Sequence, residues 1–334
     1  MTAIKEVWTL AEVRRGAIHT VSAELLAWGR ELADALGVPL ASVVMGSGVK
    51  DAAQPLIAHG ADKVYVVDRP ELAEFRGDAE TAVLARLIEQ HTPQILIASA
   101  TTQGRTIMPL LYAKLGCGLT ADCTELSIVP ETGRLLQTRP AIGGNIMANI
   151  LSRGRDPQMC TARPKSKRPL PADASRTGEI IDCSADAGAA ESIIRFLGFA
   201  QAKTEGLPIQ EAEIIVAGGK GMKSAKNWEL LTELANLLGG SVGASRMAVD
   251  LGWAPYSAQI GLSGKAVTPR LYMAFGISGA VQHIAGMSGA ETVIAVNQDP
   301  DAPIFRVADL AVQGDAMEVL RSLIAALKKQ KGLN

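Results

Sequence analysis

Short apolar runs alternate with amphipathic runs along most of this chain, and this alternation constrains the fold more than any other feature. In the first half the strand-like runs are residues 6–11, 40–45, 63–67 and 94–98, and the runs with helical spacing are 20–36, 50–59 and 78–91. In the second half the strand-like runs are 213–216, 271–275, 292–296 and 305–311, and the helical runs are 227–238 and 315–329. Strands that alternate with helices predict an α/β fold, in which helices cover both faces of a mostly parallel sheet.

A length of 334 residues exceeds one ordinary core, and the pattern breaks between residues 163 and 185. Three prolines there exclude a helix interior or a central strand. The basic residues of the segment are typical of a solvated strand and loop, because no aromatic residue lies among them for base stacking. We expect a short strand or helix over 191–199 and a linker over 203–208. The sequence therefore predicts two Rossmann-like α/β domains, residues 1–205 and 206–334.

The charge balance and the cysteines exclude several classes of function. The formal net charge is −1, which argues against a nucleic-acid-binding protein because such domains are basic. The 4 cysteines form no C-x-x-C pair and the 4 histidines are scattered, so we predict no metal site and reduced, mostly buried thiols. No apolar run reaches the ~18 residues that a membrane helix needs, and the early strand pattern leaves no room for a signal peptide. We therefore expect a cytoplasmic protein without membrane insertion.

Three glycine-rich turns crowd into residues 241–301 and indicate a cofactor site. They read G-A-S-R, G-L-S-G-K and G-I-S-G-A-V-Q-H, and they carry Ser245, Arg246, Ser263, Lys265, Ser278 and His283. Glycine lets a backbone approach a phosphate or a ring closely, and free N–H groups at a helix start bind anions. The turns therefore predict one site for a large, polar, anionic cofactor. Neither G-L-S-G-K nor G-G-K-G-M-K-S fits a P-loop, and the first strand-helix turn lacks G-x-G-x-x-G.

Longer motifs connect these turns to a known family. They are V-G-A-S-R (242–246), Q-I-G-x-S-G-K (259–265), G-I-S-G-A-V-Q-H-I-A-G-M (276–287), A-V-N-Q-D-P-D-A-P-I-F (295–305), A-G-G-K-G-M-K-S (217–224), G-L-T-A-D-C-T-E-L (118–126) and Q-T-R-P-A-I-G-G-N-I-M-A (137–148). Through them the chain resembles the alpha subunit of electron-transfer flavoproteins over nearly its whole length. The resemblance implies FAD in the C-terminal domain and an interface with a beta subunit in the N-terminal domain. It also implies electron transfer between a dehydrogenase, such as an acyl-CoA dehydrogenase of fatty-acid β-oxidation, and a second partner.

The resemblance also implies which residues contact FAD. These are Lys220, Ser245, Arg246, Ile260, Gly261, Leu262, Ser263, Ser278, Gly279, Ala280, Val281, Gln282, His283, Asn297, Asp315 and Ala316. His283 would face N1 and O2 of the flavin, where negative charge develops on reduction, and Ser263 would bond N5 in place of the usual threonine. Arg246 would stack on the flavin or approach its phosphates. The remaining polar positions, Ser245, Asn297 and Asp315, match those that bind the phosphate, ribose or adenine.

Structural roles compete with several of these assignments. His283 fits a partly buried histidine that bonds backbone, Arg246 a surface salt bridge, and Asp315 the cap of a terminal helix. Two positions depart from the family pattern, since Lys220 replaces an arginine and Leu262 a glutamine. Lysine keeps the charge without the bidentate fork, and leucine removes an amide from beside the ring.

Two other functions stay open. In the first, the same fold belongs to an electron-bifurcating complex, whose beta subunit carries a second FAD that takes a hydride from NADH. The stretches G-L-T-A-D-C and Q-T-R-P-A-I-G-G-N favour that version. In the second, the chain is a nucleotide-binding regulatory protein without a redox role.

Overall fold

The computed structural model describes residues 5–14, 17–141, 146–198 and 208–332. The described residues form two compact units. The first contains the residues up to Ala141 and those from Met147 to 198, and the second contains Ile146 and the residues from 208 onward. The predicted domain boundary, and all of the predicted linker except Pro208, lie outside the described residues.

The first unit contains a parallel sheet of seven strands, a three-stranded antiparallel sheet and a short two-stranded antiparallel sheet. Its strands are β1 (Val7–Leu10), β2 (Val13–Arg14), β3 (Ala17–Ile18), β4 (Leu40–Gly46), β5 (Lys63–Asp68), β6 (Ile95–Ser99), β7 (Leu119–Cys123), β8 (Glu125–Val129), β9 (Arg134–Pro140), β10 (Met147–Leu151), β11 (Gln158–Ala162) and β12 (Glu179–Asp182). Its α-helices are α1 (Val21–Leu36), α2 (Ala53–Ala58), α3 (Gly77–His91) and α4 (Thr102–Leu115). The parallel sheet has the order β12-β5-β4-β1-β6-β11-β7, and the antiparallel sheet has the order β10-β9-β8.

Two apolar clusters bury the two faces of the seven-stranded sheet. One joins Trp8 and Leu96 to α3 and α4, and the other joins Val7 and Ile95 to α1 and α2. Burial on both faces explains why these strands are nearly continuous apolar runs. Among the few buried charges is Glu6, which accepts hydrogen bonds from Trp8, Tyr65 and Lys63. A buried carboxylate with this many donors is stable where an unpaired one would not be.

Two segments of the first unit, residues 50–59 and 191–198, differ from the sequence-based expectation, whereas the proline-rich segment 163–185 forms the expected solvated loop and strand. Residues 50–59 divide into a 3₁₀ turn (Lys50–Ala52) and α2, with Pro55 early in α2 where its missing N–H costs no helical bond. The proline-rich segment ends in β12, which joins the sheet at the edge beside β5. Residues 191–198 form neither a strand nor a helix, because Ile193 and Leu197 point into solvent and pack against nothing that would order a regular element.

The second unit is a five-stranded parallel sheet. Its strands are β13 (Ile214–Gly218), β14 (Ser241–Ala244), β15 (Leu271–Phe275), β16 (Thr292–Asn297) and β17 (Leu310–Gln313), and its α-helices are α5 (Trp228–Leu238), α6 (Arg246–Asp250), α7 (Val281–Met287) and α8 (Ala316–Gln330). The strand order is β14-β13-β15-β16-β17, and every neighbouring pair is parallel. The chain thus runs outward in opposite directions from β13 and β15, which makes the gap between these two strands the topological switch point of the sheet.

Helices α5 and α8 pack on one face of this sheet, and α7 packs on the other with Ile260 and Ile304. The predicted strand over 305–311 is a 3₁₀ helix (Pro303–Val307) followed by β17, because Pro303 favours a helical start. Both units therefore have the predicted α/β architecture of a mostly parallel sheet with flanking helices.

The cysteines match what the composition indicates. The four cysteines are free and buried, as predicted. Within the described ranges, no helix is long and apolar enough to cross a membrane.

Candidate functional site

The carboxyl ends of the five strands of the second unit bring the predicted site residues to one edge of the sheet. Lys220 follows β13, Ser245 and Arg246 follow β14, and residues 276–283 follow β15. Asn297 ends β16 and Asp315 follows β17. Ligands of open parallel sheets bind in the crevice outside these ends, at the switch point. The topology therefore places the predicted residues where this architecture binds ligands.

Close backbone contacts between glycines shape the crevice at the switch point. A Cβ on Gly219 would lie 2.3 Å from the carbonyl oxygen of Gly276, and one on Gly221 would lie 2.6 Å from the Cα of Gly276. Gly276 itself has φ +60, and the N–H of Gly221 donates to its carbonyl at 2.9 Å. Side chains at these three positions would push the two loops apart. The glycines are therefore required for the shape of the crevice.

The loop after β15 presents a run of open backbone donors. In the part of the chain that the structure describes, no hydrogen bond engages the N–H groups of Ser278, Gly279, Ala280, Val281 and Gln282. The loop is fixed from behind, since the N–H of Ile304 donates to the carbonyl of Ser278 at 3.0 Å. Gly279 has φ +86, and its Cβ would lie 2.2 Å from the nitrogen of Ile304. Unengaged N–H groups in a fixed loop suit an anionic ligand.

His283 lies in the first turn of α7, one residue after this run, and its side chain is buried. Its Nε2 is 2.9 Å from the hydroxyl of Tyr272 on β15. Its Nδ1 is buried and has no hydrogen-bond partner of normal geometry among the described residues. Burial lowers the pKa of His283 to about 4, against the opposing effect of the Ile260 backbone. The imidazole is thus neutral at pH 7, with one ring nitrogen held by a phenol and the other unsatisfied.

The G-L-S-G-K turn packs against α7. The N–H of Leu262 donates to the carbonyl of Gln282 at 2.8 Å, and Gly261 has φ +142. A Cβ on Gly286 would lie 2.4 Å from the nitrogen of Gly261, so glycine is needed on the helix as well. This contact places the exposed side chains of Leu262 and Ser263 beside the loop that follows β15. Ile260, by contrast, is buried in the core.

Two cations stand at the same edge. Arg246 begins α6 with its side chain 72% exposed, and among the described residues its one ion pair is a long contact of 3.5 Å to Asp250 in the next turn. An exposed pair of this kind contributes little stability, so the guanidinium is available to a ligand. Lys220 is exposed on the loop after β13. Ser245 precedes α6 and makes no side-chain capping bond within the described ranges, so its hydroxyl is also available.

The last predicted residues are engaged by the fold itself. Asp315 caps α8 by accepting from the N–H groups of Met317 and Glu318, while its other oxygen accepts from Lys223 and Gln298. The hydrogen bond from Lys223 is the main reason that the pKa of Asp315 is lowered.

The side chain of Asn297 is also engaged by the fold, since it donates to the carbonyl of Ile277 and accepts from the N–H of Asp299. The side chain of Ala316 is buried in the core beneath α8.

Comparison with known proteins identifies the family of this chain. Residues 7–187 match the family model of the electron transfer flavoprotein domain, and residues 208–288 match that of the electron transfer flavoprotein FAD-binding domain. The electron transfer flavoprotein subunit alpha of Megasphaera elsdenii is 43% identical, over 98% of each chain. That of Thermoanaerobacterium thermosaccharolyticum is 42% identical, over 99% of this chain and all of its own. This chain belongs to the electron transfer flavoprotein alpha-subunit family.

Two further comparisons are with a FixB protein and with a solved structure. Protein FixB of Azotobacter vinelandii is 43% identical, over 98% of this chain and 92% of its own. Among solved structures, a thiamin diphosphate-dependent enzyme of Mycobacterium smegmatis aligns with 14% identity and a TM-score of 0.23, over 91% of this chain and 54% of that one. A likeness this low bears on neither fold nor function.

The strand-end site of this alpha subunit fits FAD. The open N–H groups of residues 278–282 and the cations Lys220 and Arg246 complement an anionic pyrophosphate. The exposed hydroxyl of Ser263 offers a polar partner to the edge of a ring, and His283 lies buried directly after the run of open N–H groups. FAD is the cofactor of the domain family that residues 208–288 match.

Sequence reasoning missed three side chains that support this edge of the sheet. Tyr272 holds His283, and Tyr256 and Gln259 hold Ser263. A lone phenol within the apolar run L-Y-M-A-F was the available signal for Tyr272, because a buried tyrosine normally needs a partner for its hydroxyl. No comparable signal marks Tyr256 or Gln259, since their partners depend on how the loop folds back.

Proposed function

We propose that this chain pairs with a beta subunit and carries electrons, on FAD, between an acyl-CoA dehydrogenase-type protein and a second redox partner. The observation that supports the proposal most is the run of open N–H groups after β15, flanked by exposed cations at the switch point. The sixteen residues predicted from the sequence are our proposal for the FAD contacts, made through the backbone where the fold already engages or buries the side chain, as at Ile260, Asp315 and Ala316. The first unit, within residues 1–205, is our proposal for the beta-subunit interface.

The proposed roles follow from the geometry of the residues. FAD, when bound, supplies reversible one- and two-electron chemistry at its ring. Open N–H groups and the guanidinium of Arg246 would hold the phosphates without a metal, since both are donors to anions. His283 enters the site neutral, with Tyr272 fixing the direction of its ring. A neutral imidazole that donates a hydrogen bond stabilises an oxygen on which negative charge develops.

The test uses the complex of this chain with its beta subunit, co-expressed and purified without added flavin. We expect a yellow heterodimer whose flavin is bleached under anaerobic conditions by an acyl-CoA together with an acyl-CoA dehydrogenase. The matched control omits the dehydrogenase. A colourless complex that binds no added FAD would contradict flavin binding, and a flavin that the dehydrogenase cannot reduce would contradict the proposed donor.

The bifurcating version is the second candidate, because G-L-T-A-D-C and Q-T-R-P-A-I-G-G-N favour it. The flavin count distinguishes the two candidates. The carrier function predicts one FAD in each heterodimer and no reduction by NADH alone. Two FAD in each heterodimer, with rapid bleaching by NADH, would establish the bifurcating function in its place.

A further inference from the structure

The turn that carries Ser263 is a closed loop. The N–H of Lys265 donates to the carbonyl of Gln259 at 2.7 Å, and the N–H of Gly264 donates to the carbonyl of Gly261 at 3.0 Å. A Cβ on Gly264 would lie 2.4 Å from the carbonyl oxygen of Gln259, so the two sides of the loop are in close contact. The backbone therefore returns on itself within seven residues and projects Ser263 and Leu262 from its tip.

Two side chains hold the tip at Ser263. The hydroxyl of Tyr256 donates to the carbonyl of Ser263 at 2.7 Å, and Nε2 of Gln259 donates to Oγ of Ser263 at 3.0 Å. Gln259 is buried, whereas Tyr256 is 64% exposed. A ring that is mostly in solvent gains little from packing, so the bond to the loop is the main contact that this tyrosine supplies. The loop is thus fixed at both the backbone and the side chain of one residue.

The bond from Gln259 determines what the hydroxyl of Ser263 can do. A serine hydroxyl has one proton and two lone pairs. Because the amide of Gln259 occupies one lone pair, the proton cannot lie along that bond and stays free to be donated to an acceptor at the exposed tip. The hydroxyl is therefore presented to the site as a donor. An unprotonated ring nitrogen or a carbonyl oxygen accepts such a bond, whereas a protonated ring nitrogen does not.

We propose that Tyr256 and Gln259 are positioning residues that present the Ser263 hydroxyl as a hydrogen-bond donor to the oxidised flavin ring. This inference rests on the proposed function, because it takes FAD as the ligand. It assigns different roles to the two residues. Tyr256 fixes the position of the loop through the backbone, and Gln259 fixes the direction of the hydroxyl. Because N5 of the ring is unprotonated in oxidised FAD and protonated in fully reduced FAD, the hydrogen bond strengthens the binding of oxidised FAD more.

The test measures dissociation constants of oxidised and of fully reduced FAD with the deflavinated heterodimer, for Ser263→Ala, Gln259→Met and the double variant. One neutral hydrogen bond corresponds to about a 3- to 10-fold change in affinity. We expect each single variant to weaken the binding of oxidised FAD by about that factor and the binding of reduced FAD by less than about 2-fold. The double variant should match Ser263→Ala alone, because Gln259 acts only through the hydroxyl. Gln259→Asn, which retracts the amide by one methylene, replaces Gln259→Met if the latter does not fold.

A second measurement addresses Tyr256 without flavin. Amide hydrogen exchange of the deflavinated heterodimer should speed up by about 3- to 10-fold at residues 262–264 in Tyr256→Phe, which loses one hydrogen bond. Tyr112→Phe is the matched control, since Tyr112 is also an exposed tyrosine but lies on α4 in the first unit. It should leave exchange in the loop unchanged.

The outcomes separate this inference from the proposed function. A wild-type complex that binds no FAD would contradict the proposed function. The role of Gln259 would be overturned by either of two results in a wild-type background that binds FAD normally. In the first, Gln259→Met weakens the binding of oxidised and reduced FAD equally. In the second, its effect on affinity adds to that of Ser263→Ala. Unchanged exchange in Tyr256→Phe would overturn the role of Tyr256.

Discussion

At the scale of single residues, burial sets the charge of the histidine beside the site. The pKa of His283 is lowered to about 4 because its ring is buried, whereas in the unfolded chain it has the ordinary value of 6.5. The unfolded state therefore binds the proton first as pH falls. The stability that the neutral imidazole contributes is fully present above about pH 6.5 and is lost progressively as the pH falls to about 4.

His283→Gln tests this charge state. We expect the deflavinated wild-type complex to lose about 3 kcal/mol more unfolding free energy between pH 7 and pH 4 than the variant does. Urea unfolding across that range measures the difference. Equal losses in both proteins would mean that the imidazole is solvated and does not have the environment described here.

Glu80 on α3 shows the opposite dependence. Burial and the nearby charge of Glu12 raise the pKa of Glu80 to about 8, from 4.5 in the unfolded chain. The folded state therefore keeps the proton longer, and stability is lost as pH rises from about 4.5 to about 8. Glu80→Gln should be about 2–4 kcal/mol more stable than the wild type at pH 8 and similar at pH 4.5. A constant difference between the two pH values would contradict a buried, protonated carboxyl.

At the scale of elements, the cap of α8 decides between two roles for Asp315. Its carboxylate accepts from Met317, Glu318, Lys223 and Gln298, which leaves little capacity for a ligand. We expect Asp315→Ala to cost about 0.5–2 kcal/mol of stability through the lost cap. Asp315→Asn, which can still cap, should retain both stability and FAD affinity to within about 1 kcal/mol. A large loss of FAD from Asp315→Asn with stability intact would show that the carboxylate binds the cofactor directly.

Element by element, the sequence predicts what local periodicity controls. Helices α1, α3 and α5 and strand β15 begin and end within about a residue of their predicted bounds, because two buried sheet faces impose a clear apolar pattern. Residues 191–198 have the same apolar composition, but the side chains of Ile193 and Leu197 lie in solvent, so composition alone predicts a regular element where none forms. The supporting contacts of Tyr256 and Gln259 are set by a loop that closes on itself, which no period reveals.

At the scale of the whole molecule, substitution of Gly279, which closely contacts Ile304, tests whether the shape of the crevice at the switch point is needed for the site. Gly279 has φ +86 and no room for a Cβ, whereas Gly252 has φ +73 and open space around it. Gly252→Ala should cost about 1 kcal/mol, the conformational penalty alone. Gly279→Ala should cost several times more and lower FAD content, because Ile304 must move. Equal effects of the two changes on stability and FAD content would contradict the crevice.

Whether FAD binds at the strand ends of the second unit is tested by the FAD content of a double variant. Ser245→Ala with Arg246→Ala removes an available hydroxyl and an available cation from that edge. Arg270→Ala is the matched control, since Arg270 is equally exposed but precedes β15 at the opposite edge. After exhaustive dialysis of the heterodimers, we expect FAD to be lost from the double variant and retained by the wild type and the control. Full FAD occupancy in the double variant would contradict the site.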